Sequence, residues 1–147
     1  MQQLFEELGI EPEIVSAGEL KHYRASGLDV YAGDICELSS ELLGEVDAVY
    51  DRAALVALPE DMRPRYASHV TEISGAARKL VITFNYDQSA MDGPPFSIED
   101  EELQAYFAND FDVSLLAGVE VEGRLKGQVD AIEKIWLVKP FPLNQRG

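Results

Sequence analysis

The chain has 147 residues, about the length of one ordinary domain, and its 46% hydrophobic and 27% charged residues exclude collagen-like, mucin-like and disordered acidic chains. Twelve Lys and Arg against 27 Asp and Glu leave a formal charge of −15, which disfavours a nucleic-acid partner. No apolar run nears the roughly 18 residues of a membrane span, and the start MQQLFEELGIEPE lacks the parts of a signal peptide, so no membrane and a cytoplasmic setting are expected.

In chain order, Leu4, Phe5 and Leu8 share one helical face, with Gly9 placed to end the helix. No Ser, Thr, Asp or Asn precedes Leu4 as a cap, so the chain is expected to start inside a helix. Residues 13–15 and 20–24 read as a hairpin about Ser16-Ala17-Gly18. Residues 28–32, 46–50 and 79–84 are short apolar strands separated by helical patterns, the signature of a parallel α/β sheet. Residues 113–121 and 129–138, joined by a Gly-bearing connection, close that sheet as an antiparallel hairpin, which makes it mixed.

Two helices cover the sheet. Met62, Tyr66, Val70 and Ile73 form a core-facing stripe, with Pro64 near the first turn. A second helix follows Ser97, whose hydroxyl is expected to cap it, with Asp100 completing an approximate capping box and Leu103, Tyr106 and Phe107 turned inward. Residues 99–102 complement the helix dipole as a solvated acidic face. The Pro-rich tail from Lys139 to Asn144 reads as a terminus.

In open α/β sheets, ligands bind beyond the carboxyl ends of the strands. That rule singles out Gly33-Asp34-Ile35, Asp51-Arg52, and Asn85-Tyr86-Asp87 with the loop 91–96. Asp34 beside Ile35 suits an adenine, or is an ordinary turn residue. Arg52 suits an anionic substrate, or forms a structural ion pair with Asp51. Gly93-Pro94-Pro95-Phe96 is a stiff turn that reads as a pocket wall or only as a rigid turn, and Asp87, Gln88 and Ser89 serve a ligand or local turns equally well. The single Cys36 excludes an internal disulfide and reads as a small buried hydrophobe; with only His22 and His69 besides, no metal site is expected. His69 reads as structural. Neither GxGxxG nor GxxxxGK[ST] follows a first strand.

Two longer motifs, Tyr50-Asp-Arg-Ala-Ala-Leu-Val-Ala-Leu-Pro59 and Tyr86-Asp-Gln-Ser-Ala-Met-Asp-Gly-Pro-Pro-Phe96, resemble bacterial members of the thiopurine S-methyltransferase family. Phe5-Glu-Glu, Gly33-Asp-Ile and Glu133-Lys-Ile-Trp-Leu fit the same family in order and spacing, so the resemblance runs over residues 4–138. It implies a class I, Rossmann-like methyltransferase that uses S-adenosylmethionine, yields S-adenosylhomocysteine, and methylates a small thiol, or selenium or tellurium. It also implies that Asp34, Ile35 and Asp51 bind the cofactor and that Arg52 is the catalytic arginine near the acceptor. Tyr86, Pro94, Pro95 and Phe96 would border the acceptor, with Arg124 a substitute for a family arginine whose place Glu122 takes.

Against the family, roughly the first third is missing, including the glycine-bearing cofactor loop and two central strands. Their loss would leave a gap of roughly 10 Å between strands 28–32 and 46–50. The expectation is therefore one truncated domain over residues 1–147, whose exposed strands are covered by a homodimer. The alternative is a non-catalytic remnant acting as an interaction or regulatory module.

Overall fold

The computed structural model describes residues 1–142, and the end of the Pro-rich tail, 143–147, lies outside them. The backbone divides into two compact units, Met1–Gly44 and Glu45–Gly147, and the whole is a mixed α/β structure with two sheets. No helix among the described residues is long and apolar enough to cross a membrane.

In the first unit, α1 (Gln2–Leu8) ends where Gly9 turns left-handed at φ 68°, and its Met1 N-cap makes no side-chain hydrogen bond. Of the expected apolar face only Phe5 is buried, stacked on Tyr23 at 5.8 Å, while Leu4 and Leu8 are exposed. Three strands follow as an antiparallel meander, β1 (Glu13–Ala17), β2 (Leu20–Ala25) and β3 (Leu28–Ala32), in the order β1-β2-β3. The hairpin expected at 13–24 is thus present. The parallel assignment of residues 28–32 is corrected: only Ser26 and Gly27 separate β2 from β3, and a two-residue link returns a strand antiparallel, whereas a parallel partner needs a crossover. On the meander, His22 stacks on Tyr31 at 4.2 Å and bonds Asp29 at 2.8 Å. Beyond β3, the one-turn helix α2 (Ser40–Leu43) is capped by Ser39 and tied back by Tyr31, whose hydroxyl donates to the Leu42 carbonyl at 2.7 Å.

The second unit holds a four-stranded sheet in the order β4-β5-β7-β6, from β4 (Ala48–Asp51), β5 (Arg78–Asn85), β6 (Phe111–Glu120) and β7 (Ile132–Pro140). β4 and β5 are parallel, joined across α3 (Arg63–Ile73), and β7 runs antiparallel to both β5 and β6. The closing hairpin is therefore as expected, with a bulge between Leu115 and Ala117. Leu55, Val56, Tyr66, Val70, Val81, Leu103, Phe107, Phe111, Trp136 and Val138 form the core against α3 and α4 (Asp100–Phe107).

Three details of the helices differ from expectation. Met62 is 51% exposed and precedes α3, and the buried position at its start belongs to Arg63. The N-cap of α4 is Glu99, with no side-chain cap bond, because the Ser97 hydroxyl instead accepts the backbone N–H of Tyr86 at 3.0 Å, a donor left over where β5 ends. The acidic run is more than a solvated face: Asp100 pairs with Lys134 and Glu102 with Arg63, each at 2.7 Å.

Lys79 is a buried cation at the amino end of β5, its ammonium 4.2 Å from the Phe111 ring centre and donating to the Ala77 carbonyl at 3.1 Å. Burial lowers its pKa from 10.5 to about 8, against a smaller opposing pull from Asp51. Between about pH 8 and pH 10 the unfolded chain therefore binds more protons at this site than the folded one, so the Lys79 contribution to stability rises with pH there. Urea denaturation across that window is expected to show this rise in the wild type and to lose it in Lys79→Met; an identical pH dependence in the two would contradict the assignment.

Candidate functional site

β4 ends at Asp51, which is 6% exposed. Its Oδ1 accepts the Leu55 N–H at 3.1 Å, and its Oδ2 accepts the Tyr66 hydroxyl at 2.6 Å. Burial, and then the Asp51 charge, push the Tyr66 pKa well above its ordinary value, so the phenol remains a donor. Both oxygens of Asp51 are thus engaged inside the chain, and its partner is Tyr66 rather than Arg52. Arg52 is exposed, with no ion pair or side-chain hydrogen bond among the described residues. Ala53 after it takes φ 66°, a left-handed conformation that costs a non-glycine residue about 1 kcal/mol.

The carboxyl end of β5 leads into a loop that is tied down throughout. Tyr86 is buried and its hydroxyl donates to the Pro95 carbonyl at 2.7 Å. Gln88 spans the loop: its amide nitrogen donates to the Met91 carbonyl at 2.9 Å and to the Tyr86 hydroxyl at 3.0 Å, and its amide oxygen accepts the Ser97 N–H at 2.8 Å. Asp87 caps a turn, accepting both the hydroxyl and the N–H of Ser89, and these bonds hold its carboxyl below the usual range. The peptide bonds Gly93-Pro94 and Pro94-Pro95 are both cis. Phe96 donates its N–H to the Val56 carbonyl at 2.7 Å, which joins the loop to the segment after Arg52. Met91 and Tyr86 pack with Leu125, Val129 and Ala131 of the β6–β7 connection.

The turn borders a cavity of about 740 Å³, lined by Tyr86, Gln88, Gly93, Phe96, Arg63 and Glu102, with Pro59, Glu60 and further acidic residues at its margin. Tyr86 and Phe96 both line this cavity. Pro94 and Pro95 do not line it: the Pro95 carbonyl is taken by Tyr86, and the Pro94 carbonyl by Lys126 at 2.6 Å. Arg52 does not line it either. Arg124 is 63% exposed and faces Asp130 at 3.5 Å; Lys126, two residues on, is the side chain that reaches the loop. In the first unit, Asp34 accepts the Cys36 N–H at 2.9 Å and caps a 3-10 turn, with Ile35 exposed beside it and Cys36 half-buried.

Arg63 and Lys126 are functional candidates that the sequence reading does not single out. Arg63 sits inside an apolar stripe with its acid Glu102 39 residues away, and Lys126 meets Pro94 across 32 residues, so neither has a local signal.

Two parallel strands joined across α3, with a cavity beyond the carboxyl end of β5, define an α/β protein. The model of the family described as thiopurine S-methyltransferase (TPMT) matches residues 1–138. Proteins with that name are similar: that of Xanthobacter autotrophicus is 45% identical over 139 residues, covering 95% of this chain and 65% of the relative. That of Gluconobacter oxydans is 39% identical over 142 residues, covering 97% and 64%, and that of Bordetella petrii 47% over 117 residues, covering 79% and 53%. The chain belongs to the thiopurine S-methyltransferase family. It spans between about half and just under two thirds of the length of the curated relatives it matches.

At Gly93, a Cβ would collide with the Phe96 ring. Gly93→Ala is expected to destabilise the protein by about 1–3 kcal/mol, because the ring or the turn must move; a denaturant midpoint equal to wild type would show that the ring does not pack there.

Proposed function

We propose that the chain is an S-adenosylmethionine-dependent methyltransferase acting on a small thiol, or on selenium or tellurium, in the cytoplasm. The observation that supports this best, beside the family, is the contrast at the end of β4: Asp51 is buried and engaged, whereas Arg52 is exposed and unpaired among the described residues. A permanent cation kept free on a fixed turn suits an anionic acceptor.

When bound, the cofactor supplies a sulfonium methyl group for in-line displacement by the acceptor sulfur. The chain's own part is binding and positioning. Asp34 and Ile35 fit the adenine end, since they offer an exposed carboxylate and an exposed apolar surface side by side. Asp51 does not fit a cofactor contact, because both its oxygens are engaged, and its role in this reading is to fix the turn of Arg52. Arg52 favours the thiolate over the thiol in the acceptor. Tyr86 and Gln88 hold the turn Gly93-Pro94-Pro95-Phe96 as a wall, and Lys126, in place of Arg124, brings the second cation to it. Among the described residues β3 and β4 are each an edge strand of a separate sheet, and Tyr50 of β4 is 64% exposed, so in this reading the free edges are covered in a homodimer.

Incubating the chain with S-adenosylmethionine carrying a deuterated methyl group and with thiophenol is expected to give labelled methyl phenyl sulfide by mass spectrometry. Arg52→Ala is expected to lower kcat/KM at least about tenfold. No labelled product, the outcome for a non-catalytic module, or an unaltered rate in Arg52→Ala would overturn the reading. Light scattering at micromolar concentration is expected to give the mass of a dimer; a monomer would overturn the proposed pairing.

A further inference from the structure

We propose that Arg63 is the positioning residue of the acceptor loop, a role that rests on the methyltransferase reading for what the loop receives. Arg63 is only 4% exposed, and a buried guanidinium is costly unless its donors are met. Here Nε donates to the Leu58 carbonyl at 2.9 Å, Nη1 donates to Glu102 Oε2 at 2.7 Å, and the guanidinium lies 5.4 Å from the centre of the Phe96 ring. Glu102 is itself held, since it also accepts the Tyr106 hydroxyl.

These contacts link two pieces of chain that have to be in register for the proposed reaction. Leu58 and Val56 belong to the segment that begins at Arg52, and their carbonyls accept from Arg63 and from Phe96 respectively. The Phe96 ring presses on Gly93 so closely that no Cβ fits, so the ring sets where the Gly93-Pro94-Pro95 turn runs. Arg63 therefore orients the ring, the ring orients the turn, and one guanidinium fixes the turn relative to the Arg52 segment. Neither Arg63 nor Glu102 needs to touch the reacting atoms. Only a planar, forked cation can bond Glu102 and Leu58 while stacking on a ring, so lysine, a point charge, is not an equivalent.

The test is Arg63→Lys in the full chain, with far-UV circular dichroism as the fold control. The expected result is an approximately tenfold rise in the KM for thiophenol, with kcat within about threefold of wild type, because the loop wall binds the acceptor equally in the ground state and the transition state. In proton NMR, the Gly93 Hα resonances, shifted by the Phe96 ring in wild type, are expected to move toward unshifted positions in the variant. Phe96→Leu removes the ring and keeps the Arg63–Glu102 pair; it is expected to raise KM similarly, and the double variant no further, since both act through one contact. A folded Arg63→Lys with wild-type KM, Gly93 resonances that stay in place, or losses that multiply in the double variant would each overturn the proposal. Should Arg63→Lys fail to fold, Phe96→Leu carries the KM-against-kcat measurement alone. If the wild type transfers no methyl group, the methyltransferase reading fails, and the Gly93 resonances decide the positioning role by themselves.

Discussion

A carboxylate removed from water needs donors, and Asp51 obtains both of its own from elements that must come together for the second unit to fold. The Leu55 N–H comes from the turn after β4, and the Tyr66 hydroxyl from the middle of α3. The two bonds fasten strand, turn and helix at one point, and the same charge acts on Lys79 of β5. Because Asp51 takes the interior position, Arg52 is left to solvent.

A second set of polar contacts, part-buried to exposed, does for the loop after β5 what Asp51 does for the turn after β4. Tyr86, Gln88 and Ser97 satisfy one another and the loop backbone, and Asn85 donates to the Ile98 carbonyl at 2.6 Å. The Arg63–Glu102 pair then ties this loop to α3 and α4. These contacts anchor the loop, so a ligand bound there would lose little of its binding energy to ordering it.

The parts of this architecture that follow from local pattern were legible in the sequence. The hairpin near the start, α3 with its Pro64, and the β6–β7 hairpin all rest on periodicity and turn residues within a few positions. Residues 28–32 carry the same apolar character as a parallel strand, and only the two-residue link Ser26-Gly27 marks them as antiparallel. Ser97 has the spacing of a cap, but a distant N–H at Tyr86 competes for its hydroxyl. Met62 and Arg63 exchange places for a similar reason: the acid that makes burial of Arg63 tolerable lies on another helix. Asp51 is paired with Tyr66 and not with Arg52, and Asp34 caps a turn while its side chain remains exposed. The family was legible because its motifs are long and ordered, whereas the cavity wall at Arg63 depends on contacts that no motif records.

Whether the turn after β3 holds the cofactor is tested most directly by calorimetric titration of the chain with S-adenosylhomocysteine, alongside Asp34→Ala. The proposed reading predicts a binding heat that the substitution abolishes. An absence of heat at millimolar ligand, or equal binding by Asp34→Ala, would contradict the cofactor site described above.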